Sequence, residues 1–200
     1  MSYPVPNQRL AQQIQFILEV DKLKNIIRRT YVSGGKRREN SAEHSWQLAL
    51  MALTLAEHAN EPVDVARVMK MVVIHDIVEI DAGDTYFFDD AGTADKAERE
   101  QEAAIRLFGL LPADQAAELR QLWVEFEARQ TPEARFANAI DRVMPLLLNY
   151  ETQGKSWQEH GIRSEDILPR MAHVNGGSET IWQLIQAIVT DAVEVGYLPE

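Results

Sequence analysis

Long segments whose apolar residues recur three and four positions apart follow one another along nearly the whole chain, and alternating apolar–polar runs are scarce. The 10 glycines and 8 prolines among 200 residues fall at the boundaries between these segments. This pattern predicts an all-α protein. Net charge then limits its partners: 20 Lys+Arg against 31 Asp+Glu leave −11, which disfavours a nucleic-acid polymer or an anionic membrane surface. No cysteine is present, so disulfides, thiolate zinc, iron–sulfur centres and a cysteine nucleophile are excluded. Residues 1–9 carry Pro4 and Pro6 and lack the apolar core of a secretory signal. The longest apolar stretch, 48–56, includes Thr54 and is about half the roughly 20 residues needed to cross a bilayer. The expectation is a cytoplasmic chain, folded as a single domain over 1–200.

The periodicity places a first helix over 8–27, with Leu10, Ile14, Ile17, Leu18 and Leu23 on one face, ended by the loop Ser33-Gly34-Gly35-Lys36-Arg37-Arg38. Asn40 is an N-cap with Glu43 as its capping-box partner, and Trp46, Leu50 and Leu53 continue the apolar stripe to about Ala59. Pro62 opens a central helix that is apolar nearly all round, through Val65, Val68, Met69, Val72, Val73 and Ile74. Thr93 caps a helix to about Phe108, Pro112 starts another to about Ala128, and Thr131-Pro132-Glu133 opens a third in which Pro145 kinks the helix or ends its regular bonding. A last helix covers about 178–195, where Ile181, Trp182, Ile185, Ile188 and Val189 serve either the core or a subunit interface. The four tryptophans, 46, 123, 157 and 182, read as packing residues, and His58, His160 and His173 as surface or structural.

The chemistry concentrates at the end of the central helix. Burying the pair His75-Asp76 costs several kcal/mol unless partners or a metal compensate. Glu79 follows on the same face, and Asp84 comes just after the Gly83 turn. Neutral imidazole together with carboxylates suits Mn, Fe, Co, Ni or Mg-like ions better than thiolate zinc. His44 lies in a helix's first turn among apolar neighbours, and Asp141 follows Phe136-Ala137-Asn138-Ala139-Ile140. The order His, His-Asp, Asp resembles the metal-dependent phosphohydrolases of the HD-domain superfamily over 29–141, about half of the chain. More narrowly, Glu43-His44-Ser45, His75-Asp76-Ile77-Val78-Glu79 with Gly83-Asp84, and Glu133-Ala134-Arg135 ahead of Asp141 resemble its 5′-deoxynucleotidase branch.

That resemblance implies a compact HD-domain helical bundle in which His44, His75, Asp76 and Asp141 hold one divalent metal ion. It makes Glu79 and Asp84 the catalytic carboxylates. Physically, Glu79 is placed to orient or deprotonate a water, whereas Asp84 either protonates the leaving oxygen or binds a sugar hydroxyl. Arg29, fifteen residues before His44, matches an arginine of the branch's substrate site. Thr30-Tyr31 follows it where well-known bacterial members have a tryptophan next. Lys36-Arg37-Arg38 reads as a solvated loop, Asp89-Asp90 as an acidic turn, and Phe87-Phe88 as a lid, a cover for the nucleotide or a packed loop.

The implied activity is hydrolysis of (deoxy)nucleoside 5′-monophosphates to nucleoside and phosphate by a homodimer. Three alternatives stand beside it: an HD hydrolase of a triphosphate or signalling nucleotide, a catalytically silent nucleotide-binding regulator, and a helical interaction module whose acidic surface meets a protein partner.

Overall fold

A helix with one apolar stripe has to bury it against a neighbour. The computed structural model, which describes residues 4, 6–89, 92 and 94–200, is built in that way. In chain order it runs α1 (Gln8–Val20), β1 (Ile27–Tyr31), β2 (Arg38–Asn40), α2 (Ser41–Leu55), α3 (Val65–Ile74) and the single turn α4 (Glu79–Ala82). There follow α5 (Lys96–Phe108), α6 (Ala113–Ala128), α7 (Pro132–Glu151), α8 (Lys155–His160), α9 (Ser164–Met171) and α10 (Glu179–Glu194). Helix α7 lies at the centre, packed on α2, α3, α6 and α10, with Phe136, Ala137, Ala139 and Ile140 wholly buried. One cluster of buried apolar side chains extends from Leu23 to Leu198. Among the described residues no helix is long and apolar enough to cross a membrane.

The N-terminal region departs from the periodicity. Helix α1 stops at Val20, a 3-10 turn covers Asp21–Asn25, and Ile27–Tyr31 pairs antiparallel with Arg38–Asn40 across the loop read from the sequence. The predicted helix over 8–27 therefore ends seven residues early, at Val20. Its continuation, Ile27-Arg28-Arg29-Thr30-Tyr31, is rich in β-branched and aromatic residues, and Gly34 and Gly35 (φ +81° and +66°) let the hairpin turn. The stripe of α2 is also corrected: Trp46 and Leu53 are 65% and 58% exposed, and the helix buries His44, Ser45, Leu48, Met51 and Ala52. Trp46 is thus no packing residue. Pro62 precedes α3, whose cap is Asp64, accepting from the amides of Ala66 and Arg67.

Other boundaries agree with the sequence. Asn40 and Glu43 make the full capping box, Thr131 caps α7 with Pro132 next, and Ser178 caps α10. Pro145 lies inside α7, which continues to Glu151. In α10, Ile181, Ile185, Ile188 and Val189 belong to the core. Thr93 and Asp90 lie outside the described residues.

Candidate active site

Three local devices carry the site. The capping box starts α2 so that His44, one turn in, points inward with no exposed surface. At the end of α3 the backbone tightens into a 3-10 turn, His75–Val78. Side chains three apart eclipse in such a turn, which sets Glu79 over Asp76. Gly83, at φ +77°, then ends α4 and redirects the chain into Asp84, a conformation open to glycine at little cost. Asp141 reaches the same place from the middle of α7, 5% exposed.

These elements bring donor atoms of His44, His75 and Asp141 within 4.8 Å of one another. His44 Nε2 lies 2.9 Å from Asp141 Oδ1, and His75 Nε2 lies 3.6 Å from the same oxygen. Asp76 borders the cluster, with Oδ1 2.9 Å from His75 Nε2 and Oδ2 accepting from Arg28 Nη1 at 2.9 Å. His75 Nδ1 donates to the Val72 carbonyl at 2.8 Å, which leaves Nε2 buried and without a hydrogen-bond partner. That is how a metal-ligating imidazole is held. Burial and the Arg28 charge push His44 down to about 4, so it is neutral at pH 7. Burial opposes charge on His75 too, but Asp76 and Asp141 outweigh it and raise its pKa well above the usual value. The two carboxylates therefore demand a cation at His75 Nε2, and the donor set of two imidazoles and carboxylates fits a divalent metal.

Glu79 is 6% exposed and accepts from the Ser41 hydroxyl at 2.6 Å. Burial and the charge of Asp76 raise its pKa well above the carboxylate range, and burial also raises that of the half-buried Asp84. Both acids, with Arg29 and Thr30, line a cavity of about 330 Å³ that opens onto His75, Asp76 and Asp141. Its loop wall is pinned by three consecutive aromatics: Arg29 stands 5.1 Å from the Tyr86 ring centre, Arg142 4.5 Å from Phe87, and Arg170 5.7 Å from Phe88.

Sequence reasoning missed several residues here. Glu39, 3% exposed, lies with Oε2 3.6 Å from His44 Nδ1 and 3.5 Å from Arg28 Nε. Its burial pushes it up to about 7. Ser41 holds Glu79, and Arg28 bonds Asp76. All three belong to the unforeseen hairpin or its junction with α2; alternation along the strands was the signal that would have turned them inward. His173, read as surface or structural, is bonded through Nδ1 to the Arg170 carbonyl and feels the charges of Arg129 and Arg142.

Residues 20–182 match the family model described as HD domain. The chain belongs to the HD domain family. Among curated relatives of this HD domain protein, the 5′-deoxynucleotidase HDDC2 of Danio rerio is 30% identical over 143 residues, 71% of this chain and 70% of that protein. The same-named protein of Bos taurus is 33% identical over 67% of this chain and 64% of its own length. A crystal structure of a predicted metal-dependent phosphohydrolase from Magnetospirillum magnetotacticum MS-1 superposes with a TM-score of 0.93 at 52% identity, covering all of both chains. The protein PH0347 of Pyrococcus horikoshii OT3, 21% identical with a TM-score of 0.65 over 88% of this chain and 98% of its own, shares the fold.

Proposed function

We propose that this HD domain protein hydrolyses nucleoside 5′-monophosphates, deoxy forms foremost, to nucleoside and phosphate. His44, His75, Asp76 and Asp141 hold one divalent ion of the Mn, Co, Fe, Ni or Mg kind. The observation that carries the reading is the convergence of buried His44, His75 and Asp141 donors on a cavity that also contains two carboxylates with raised pKa values. The names of the relatives from Danio rerio and Bos taurus supply the substrate class. When bound, the ion supplies Lewis-acid polarisation of the phosphoryl oxygens and a more acidic water.

The chain's own groups do the rest. Glu79 orients the attacking water and takes its proton; a new P–O bond forms to that water as the ester P–O bond breaks. Asp84, on the same cavity, gives a proton to the leaving sugar oxygen or binds the sugar hydroxyl. Arg29, on the cavity wall against Tyr86, neutralises phosphate charge. Thr30, 6% exposed, occupies the wall position where the branch resemblance expects tryptophan.

The working unit in this reading is one HD domain over 1–200, supported by the single core cluster. It is a homodimer, supported by the exposed stripe Trp46, Leu50 and Leu53 on α2. It acts in the cytoplasm, where free nucleotides are found.

The test is phosphate release from deoxy and ribo mono- and triphosphates after chelation and re-addition of Mn, Co or Mg. Release from deoxy monophosphates supports the reading, and the ribo arm reads the effect of Thr30. Release from triphosphates alone moves the activity to another HD hydrolase class. Silence with metal bound, together with nucleotide binding in a titration, favours the nucleotide-binding regulator.

A further inference from the structure

One wall of the cavity carries positive charge that the cleaved phosphate does not require. Arg142, beside Asp141 on α7, forms an ion pair with it (Nη2 to Oδ2, 3.2 Å) and lies against Phe87. Its Nε is buried without a hydrogen-bond partner. Arg129 lines the same cavity from the end of α6, where its backbone is left-handed at φ +53°. Among the described residues, its guanidinium has neither an ion pair nor a hydrogen bond. Although the residue as a whole is exposed, desolvation where it lines the cavity and the charge of Arg142 lower its pKa, against weaker help from Glu127 and Asp141. His173 stands beside them: burial, Arg129 and Arg142 push it down to about 4, so it is neutral at pH 7. Its Nδ1 donates to the Arg170 carbonyl at 3.1 Å, and its Nε2 is buried without a partner.

Among the described residues Arg142 has only Asp141, itself a ligand in the proposed metal site, as its counter-ion, and Arg129 has none, in a chain of net charge −11. A planar guanidinium matches the oxygens of phosphate or carboxylate with paired hydrogen bonds. A nucleoside 5′-monophosphate has one such group, and the metal cluster with Arg29 already answers it. We propose that Arg129 and Arg142 form a second anion subsite, so that the preferred substrate carries, besides the phosphate that is cleaved, another phosphate or a carboxylate that stays intact. The proposal rests on the phosphohydrolase reading of the same cavity and narrows its substrate class.

The test uses two matched pairs with the full-length, metal-loaded protein. 2′-Deoxyadenosine 3′,5′-bisphosphate adds a phosphate to 2′-deoxyadenosine 5′-monophosphate, and 2′-deoxyorotidine 5′-monophosphate adds a carboxylate to 2′-deoxyuridine 5′-monophosphate. The doubly anionic member of at least one pair is expected to show a kcat/KM at least about tenfold higher, mainly through KM, as hydrogen bonds to charged groups imply. The favoured pair identifies the group. Arg129→Asn removes the charge while keeping a residue that tolerates the left-handed backbone. It should bring the pair within threefold, leave kcat on the singly anionic member unchanged, and be partly rescued by Arg129→Lys.

Equilibrium binding of the same pairs to Glu79→Gln protein separates the two readings. No hydrolysis, with a tenfold binding difference that Arg129→Asn abolishes, leaves the subsite standing and removes the phosphohydrolase reading. Hydrolysis with equal KM and equal affinity within both pairs overturns the subsite and leaves the activity. Equal affinity without hydrolysis overturns both.

Discussion

Ser41 donates its hydroxyl to Glu79 Oε2 at 2.6 Å, so the residue that opens α2 holds the carboxylate that opens α4. Burial and the charge of Asp76 drive the Glu79 pKa up, and the Ser41 hydroxyl opposes them by favouring the ionised form. Removing that donor in Ser41→Ala raises the pKa further. If Glu79 is the base, activity needs it ionised, so the acidic limb of kcat/KM against pH moves to higher pH while the plateau above it is kept. A pH–rate profile checks this. An unmoved limb takes Glu79 out of the base role. Glu79→Gln should retain the metal and lose roughly 10²–10⁴ in kcat.

How much of this was readable beforehand follows from which interactions are local. The capping box Asn40–Glu43, the Thr131-Pro132 start of α7 and the Ser178 cap are contacts between residues three or fewer apart, and each stands where the sequence put it. His44, His75, Asp76, Glu79, Asp84 and Asp141 were legible as an ordered set, and the fold brings them to one cavity or its border. The hairpin was not legible, because two short strands draw their stability from pairing with each other and packing on the helices. With it were lost the inward orientations of Arg28 and Glu39. The exposed face of α2 was misread for a related reason. Helical periodicity finds an apolar stripe, but the buried stripe here is made of His44, Ser45, Leu48 and Ala52, two of them polar, while Trp46, Leu50 and Leu53 face outward.

Metal removal should be visible without any substrate. The cluster of His44, His75 and Asp141 is buried, with the Asp76 carboxylate at its border. A cation that binds only the folded chain adds about 2.7 kcal/mol at a hundredfold excess over its Kd. For a chain of this length that raises Tm by roughly 5–10 °C. Chelation should lower Tm by this amount and Mn or Co restore it, as read by calorimetry. His75→Ala should abolish the response, since it removes the unpartnered Nε2. A metal-induced rise that survives this substitution would place the ion elsewhere.

The outward stripe on α2 gives the dimer its own test. Trp46, Leu50 and Leu53 fall at positions i, i+4 and i+7 and are 65%, 42% and 58% exposed. A cluster of this kind on a monomer is costly to hydrate and marks an interaction surface. Sedimentation should give twice the 22.7 kDa chain mass, and Leu50→Glu should shift it to the monomer while leaving the helical circular dichroism intact. A wild-type monomer removes the dimer from the proposed function.

Gly154 joins α7 to α8 at φ +73°, and a Cβ built there would stand 1.9 Å from the Tyr197 carbonyl oxygen and 2.8 Å from its carbonyl carbon. Both partners are backbone, so no rotamer change relieves the contact. Gly154→Ala combines left-handed strain of about 1–2 kcal/mol with overpacking of about 1–3 kcal/mol, roughly 3 kcal/mol or more together. That corresponds to a fall in Tm of at least roughly 6–12 °C. Gly34, at φ +81° with open space around its Cβ position, is the control. Gly34→Ala carries the conformational strain alone and should cost about 1–2 kcal/mol. The difference between the two substitutions measures the close approach of the segment after α10 to the α7–α8 junction. Trp157, on α8 and 1% exposed, lines the cavity, so the separation forced at Gly154 should also loosen that wall. Gly154→Ala is therefore expected to raise KM for nucleotide as well as lower Tm, whereas Gly34→Ala leaves KM unchanged. Equal Tm losses in the two variants would show that backbone conformation alone requires glycine at 154.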